Sequence, residues 1–192
     1  KKFLIVWNRG LGDIPLGLYA LIVRLRTFIP DAEITFITRK ELGPAFALLE
    51  YTKAITVPWW ERGEQISIGK TIKELNLSGT YDILIENVNP TKWLSWQTGK
   101  ITPRLRWDNE HDNLWRRFSL DPGLFYLGAH INTETEQFYG YRKDWPVENW
   151  KMLFDRLCER PDIRLILFGL KKTGEFNHPS ILDLREETGL LE

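Results

Sequence analysis

The chain has 192 residues, 43% hydrophobic and 27% charged, enough for one generous domain or for one domain and part of a second. Its 26 basic and 26 acidic residues cancel, so no global field draws it to nucleic acid or to anionic lipid. One cysteine, Cys158, rules out an intrachain disulfide, and no Cys/His group has metal-ligand spacing, so no metal site is expected.

Phe3-Leu4-Ile5-Val6-Trp7 is a continuous apolar run, the pattern of a strand covered on both faces. It is too short for a signal-peptide core or a transmembrane helix, which predicts a cytoplasmic protein. After the turn Asn8-Arg9-Gly10-Leu11-Gly12-Asp13, apolar residues at 14, 18, 21, 22, 25 and 29 hold one face of a helix. Pro15 falls in its first turn and Asp13 is placed as its N-cap. Pro30-Asp31 ends that helix, and Glu33 to Thr38 is the next strand.

A short helix over Leu42 to Glu50 leads to a third strand near Ala54 to Val57. A loop with Trp59-Trp60 and a helix around Lys70 to Leu75 precede a fourth strand, Tyr81 to Ile85. In residues 87–122, Trp93, Trp96, Trp107 and Trp115 alternate with Lys92, Lys100, Arg104, Arg106, Arg116 and Arg117. The nine tryptophans suit either a Trp-rich core or exposed rings that stack on sugars. Pro122-Gly123 marks a domain boundary, giving domains 1–122 and 123–192.

The rhythm then restarts with a strand over Leu124 to Ile131 and a polar loop, Asn132 to Lys143. An amphipathic helix over Pro146 to Arg160 follows, then strands Ile163 to Phe168 and Ile181 to Leu184, with a new helix starting near the last residues. Strands alternating with helices predict an α/β, Rossmann-like parallel sheet, repeated in an incomplete second unit.

The first βα turn carries the sharpest signal, because it puts a carboxylate at the carboxyl end of a parallel strand, where open α/β sheets build their sites. No Lys-Ser/Thr follows Gly12, which excludes a P-loop. Gly10 and Gly12 fit a dinucleotide fingerprint, but Pro15 replaces its third glycine and the second strand ends in Thr38-Arg39 instead of an acid. Hydride transfer is therefore disfavoured.

Phe3-Leu4-Ile5-Val6, Gly12-Asp13-Ile14-Pro15-Leu16 and Pro30-Asp31-Ala32-Glu33-Ile34-Thr35-Phe36 stand in an order that resembles the opening of glycosyltransferase family 9, the ADP-heptose:lipopolysaccharide heptosyltransferases. Tyr81-Asp82-Ile83-Leu84-Ile85 is similar to that family's fourth strand, and Lys143-Asp144-Trp145-Pro146-Val147-Glu148-Asn149-Trp150 to the start of its second domain. The match ends at Leu191-Glu192, and the family's Asp-x-Gly-Pro-x-His donor segment would come after it.

The resemblance implies a GT-B-type architecture and an inverting transfer from a nucleotide sugar, ADP-heptose in the named family, to a glycan or glycolipid acceptor. It implies no cofactor and no metal, and a place at the cytoplasmic face of the inner membrane. By resemblance Asp13 is the general base, with the bland alternative that it only caps the helix. Lys143 faces the donor pyrophosphate or is a solvated loop lysine. Thr133 and Thr135 supply donor hydroxyls, and Glu175 is a weaker donor contact. Arg9, Arg39 and Lys40 form a basic group suited to acceptor phosphates, although short basic pairs are more often solvated. His111, His130 and His178 have no partner at informative spacing. The alternative class is a non-catalytic Rossmann-like module that binds glycan or nucleotide.

Overall fold

The computed structural model describes residues 1–62, 64–86, 88–89, 102–133, 140–141, 143–169 and 171–191. Its contacts cluster into two compact units, Lys1–Asp108 and Asn109–Glu192. The division falls ahead of Pro122-Gly123, and residues 109–122 belong with the second unit. Arg117, for instance, donates from Nη2 to the Glu187 carbonyl at 2.7 Å, and the Asp121 N–H donates to the Tyr126 hydroxyl at 2.8 Å.

The first unit is a four-stranded parallel sheet in the order β3-β2-β1-β4. Its strands are β1 (Lys2–Trp7), β2 (Glu33–Arg39), β3 (Thr52–Val57) and β4 (Ile83–Ile85). The apolar run of β1 is buried throughout and divides by period two. Phe3, Ile5 and Trp7 face one core with Ile14, Leu18, Ile22, Phe36 and Phe46. Leu4 and Val6 face the other, with Ile37, Val57 and Trp60. Burying each such side chain contributes about 1.5–3 kcal/mol, so β1 is the axis of the unit.

The helix after β1 is broken differently from its sequence pattern. Ile14–Leu18 forms a wide π turn, closed by the Tyr19 N–H donating to the Ile14 carbonyl, and only then does α1 (Tyr19–Phe28) begin. Pro15 falls in the first turn, where its missing N–H leaves no intrahelical bond unmade, and Gly17 in the middle of the turn lowers its helical preference.

The helix predicted over 42–50 is likewise shorter. A 3₁₀ turn, Lys40–Leu42, leads into α2 (Gly43–Ala47), and Tyr51 then takes φ 61 to reverse the chain into β3. A Cβ on Gly43 would sit 2.7 Å from Thr56 Cγ2, so only glycine lets the start of α2 lie this close to β3. β3 is largely exposed, with Lys53 and Thr56 among its residues. The third helix is α3 (Ile68–Glu74).

The second unit is a parallel sheet in the order β5-β6-β7: β5 (Phe125–His130), β6 (Ile163–Phe168) and β7 (Ile181–Asp183). It is preceded by a 3₁₀ segment, His111–Phe118. The helix α4 (Val147–Cys158) lays Phe154 on Ile163, Leu165, Leu167 and Phe176, with Trp150 and Leu157 alongside. Residues 185–187 turn instead of starting a helix, with Glu186 at φ 68.

Among the described residues no helix is long and apolar enough to cross a membrane. The tryptophans divide between the two expectations. Trp7 and Trp60 are core, whereas Trp59, Trp107, Trp115 and Trp145 are exposed. Trp93, Trp96, Lys92 and Lys100 lie outside the described residues.

Candidate functional site

In the first unit the chain runs from β1 outward to β2 and β3, then returns to place β4 on the far side of β1. The strand order therefore reverses between β1 and β4, and a crevice opens there at their carboxyl ends. The parallel register pairs Ile5 with Ile85, so the residues leaving the two strands emerge side by side. A cavity of about 380 Å³ occupies the position. Among the described residues its wall is Val6, Trp7, Asn8 and Arg9 from the end of β1, Glu86 and Val88 from the end of β4, Glu64, Gln65 and Ile66 from the β3–α3 connection, and Ile68 from the start of α3.

A chain of hydrogen bonds fixes this rim. Arg39, at the end of β2, donates from Nη1 to Asn8 Oδ1 at 3.1 Å and to the Arg9 carbonyl at 3.0 Å. The Asn8 amide donates to the Glu61 carbonyl at 2.8 Å, and the Glu61 N–H donates to Glu64 Oε2 at 3.1 Å. The connections after β1 and β3 are thereby tied to the end of β2 and to each other.

Arg39 is only 8% exposed, and its Nε also lies 3.7 Å from Glu41 Oε2. The basic group expected from Arg9, Arg39 and Lys40 thus resolves into unlike parts. Arg39 holds the turn, Arg9 lines the cavity, and Lys40 is exposed at the start of the 3₁₀ turn.

Asp13 stands at the helix start, but its carboxylate caps no backbone N–H. Its own backbone is already helical, at φ −74 and ψ −17, and the residue two further on is Pro15, which has no N–H. A capping carboxylate ordinarily bonds at that second or third position. The side chain instead lies over Gly10, where an added Cβ would meet Asp13 Oδ2 at 3.5 Å. The half-buried carboxylate is thus held beside the residue that follows the cavity-lining Arg9, with no hydrogen bond or ion pair among the described residues.

In the second unit the carboxyl ends of β5 and β6 gather a second group. Thr133, three residues past β5, donates its backbone N–H to both Asp144 carboxylate oxygens at 2.9 Å and its hydroxyl to Oδ1 at 2.8 Å. That clamp ties the loop after β5 to the residues ahead of α4. Lys143, next to Asp144, is exposed just ahead of the α4 N-terminus, whose unbonded N–H groups favour an anion.

Glu175 is exposed in the loop after β6. That loop is anchored by the buried Arg185, which donates to the Thr173 carbonyl, to the Gly174 carbonyl at 3.1 Å, and to both oxygens of Asp183 at 2.8 and 2.6 Å. The guanidinium holds the Asp183 carboxyl below the ordinary aspartate range. Asn132 Oδ1 is buried without a donor, close to Gly169. Thr135 lies outside the described residues.

Comparison of the fold with solved structures agrees with the sequence resemblance. The ADP-heptose lipopolysaccharide heptosyltransferase II of E. coli superposes over 99% of this chain and 74% of its own, with TM-score 0.67 at 16% identity. The chain has the heptosyltransferase fold.

Two looser likenesses have TM-scores too low to add to that conclusion. The glycosyl transferase family 9 protein of Veillonella parvula matches over 88% of this chain and 62% of its own, at 18% identity and TM-score 0.47. The E. coli heptosyltransferase WaaC with ADP matches over 87% and 66%, at 15% identity and TM-score 0.41. No family model matches the sequence, and no curated protein matches it.

Of the residues singled out from the sequence, Arg9 lies on the cavity wall, Asp13 over Gly10, and Thr133 and Lys143 ahead of α4, while Asn8, Glu64, Glu86 and Asp144 were not singled out. Glu86 was within reach, because it leaves a predicted strand at its carboxyl end. Glu64 sits in a connection without periodicity, and only folding brings it to the rim.

Proposed function

We propose that this protein is an inverting glycosyltransferase that moves a sugar from a nucleoside-diphosphate donor to a hydroxyl of a glycan or glycolipid. The observation that carries the proposal is the uncapped Asp13 carboxylate over Gly10, in the turn that runs on from the cavity-lining Asn8 and Arg9 at the strand-order reversal. A carboxylate that served only the helix would be bonded to it. One left without a partner at the carboxyl end of β1 is ready to accept a proton.

In the proposed reaction Asp13 takes the proton of the acceptor hydroxyl as that oxygen attacks the anomeric carbon. The bond from the anomeric carbon to the diphosphate oxygen breaks on the opposite face, and the nucleoside diphosphate departs with the electron pair. Lys143 and the α4 N-terminus lower the cost of the negative charge that develops on the leaving group. Thr133 and Glu175 hold the donor from the loops after β5 and β6. For Thr133 this means redirecting a hydroxyl now given to Asp144. The E. coli heptosyltransferase II that shares this fold is named for ADP-heptose, which makes an adenine nucleotide sugar the first donor to try.

The chain is incubated with ADP-heptose and a panel of glycan acceptors, and nucleotide release is followed. Asp13→Asn should lower turnover by about 100-fold or more while ADP binding, measured by calorimetry, stays unchanged. Its unfolding free energy should move by less than about 0.5 kcal/mol, since no cap is lost. Turnover retained in Asp13→Asn would remove the base assignment. Glycan binding with no ADP binding would favour the non-catalytic module.

A further inference from the structure

The cavity between β1 and β4 has a chemistry different from the one a phosphate-bearing acceptor requires. Of the three cations suited to such a group, only Arg9 reaches the wall, because Arg39 is committed beneath the turn and Lys40 is not among the lining residues. Against that one guanidinium stand two carboxylates, Glu64 and Glu86, one from the β3–α3 connection and one from the end of β4. Asn8 and Gln65 add neutral amides.

Among the described residues the wall thus carries a formal charge of −1, from +1 for Arg9 and −2 for the two glutamates. A bound phosphate or carboxylate would meet two like charges and one opposite one, all on exposed side chains, so the discrimination is largest at low salt. A ring of hydroxyls meets the opposite situation. Carboxylates are acceptors only, and a hydroxyl O–H given to an ionised oxygen makes the stronger kind of hydrogen bond. Trp7 is part of the same wall, and its ring, 1% exposed, packs into the core with Ile14, Leu18 and Phe36, so its indole reports on changes at the wall from beneath. Glu64 does not swing freely, because the Glu61 N–H holds its Oε2.

The geometry points to an uncharged, hydroxyl-rich sugar ring as the occupant of this cavity, with Glu64 and Glu86 accepting from its hydroxyls and Arg9 donating to them. The inference rests on the glycosyltransferase reading and narrows it. The acceptor ring that enters carries neither phosphate nor carboxylate, and any anionic group on the acceptor stays outside.

The test uses the 192-residue chain labelled with 15N at tryptophan, with the Trp7 indole resonance assigned through Trp7→Phe. Methyl glycosides of heptose, glucose and galactose are titrated against their 6-phosphates. The neutral glycosides should shift the Trp7 indole saturably, and each 6-phosphate should bind about tenfold more weakly at low salt, with the gap closing as salt rises. In a Glu64→Gln, Glu86→Gln double variant, which keeps the side-chain size and an oxygen for the Glu61 N–H, the gap should shrink to about threefold or less.

Equal or tighter binding of the phosphates by the unaltered chain overturns the inference. So does an unchanged gap in the double variant, or no saturable shift from any probe. Asp13-dependent transfer to an acceptor whose entering ring is phosphorylated would sink this inference and leave the glycosyltransferase reading standing. Neutral-ring binding without nucleotide release would do the reverse.

Discussion

Replacing Arg39 by alanine separates two roles that its sequence position could support. From the structure, Arg39→Ala removes two hydrogen bonds given by Nη1 to Asn8 and Arg9, and empties the space of a side chain that is 8% exposed. Hydrogen bonds from a charged donor contribute about 1.5 kcal/mol each, or about 3 kcal/mol for the pair. Asn8 is half-buried and Arg9 exposed, so water recovers part of this for their oxygens. The ion pair to the exposed Glu41 adds little at 3.7 Å.

A net loss of about 2 kcal/mol follows, and with a urea m-value of about 1.3 kcal/mol/M for a unit of this size the unfolding midpoint falls by about 1.5 M. The assay is urea denaturation of the whole chain, with backbone amide resonances of β1 and β2 reporting on the first unit. Arg39→Lys keeps the charge but not the fork, and should recover less than half of the loss. Lys40→Ala, at an exposed site, should stay within about 0.5 kcal/mol of the parent. An unchanged midpoint in Arg39→Ala, joined to weaker binding of a phosphorylated acceptor, would refute this account and return Arg39 to the surface as a ligand.

Asp144→Ala frees the Thr133 N–H and hydroxyl. It should cost the second unit about 1–2 kcal/mol in a denaturant titration and change ADP affinity, because the loop after β5 loses its tether beside Lys143. Arg185→Leu strands a carboxylate whose side chain is 28% exposed and two loop carbonyls, and should destabilise the second unit by about 3 kcal/mol in the same assay. The same pair sets an acid response. The Asp183 carboxyl is depressed by Arg185, so its contribution is fully present above the unfolded value of about 3.9 and is lost as pH falls through the lower folded value. Stability followed by circular dichroism from pH 5 down to pH 2 should fall in the parent and fall less steeply in Arg185→Leu.

The sheets were legible because β1 and β6 carry continuous apolar runs, 3–7 and 165–168, and such runs have few alternatives to a covered parallel strand. Helix starts were harder to place. The apolar periodicity at 14, 18, 21 and 22 is right for the face that packs on the sheet, yet it does not register that a π turn over Ile14–Leu18 precedes α1. At 42–50 the same spacing hides the Gly43–Thr56 approach and the left-handed Tyr51 that cut α2 short.

At the site, the residues on strand ends were recoverable from sequence, since parallel topology alone sends them to one edge. What sequence could not supply was pairing across distance. Arg39 with Asn8 and Arg9, Thr133 with Asp144, and Arg185 with the carbonyls of 173 and 174 each depend on loops meeting in the folded unit.

The tie from Arg39 through Asn8 and Glu61 to Glu64 has a thermodynamic corollary. Two connections and the strand end between them, which in an open α/β sheet could each wander, are ordered when the first unit folds, so their conformational entropy is already lost before any ligand arrives. A sugar meeting this rim therefore binds a preorganised surface, and its affinity should follow the contacts it makes with little deducted for loop ordering. Selectivity then resides in the fixed placement of the wall's oxygens and nitrogens, and a ligand of the wrong shape cannot induce a better fit by drawing one loop inward without stretching the other two.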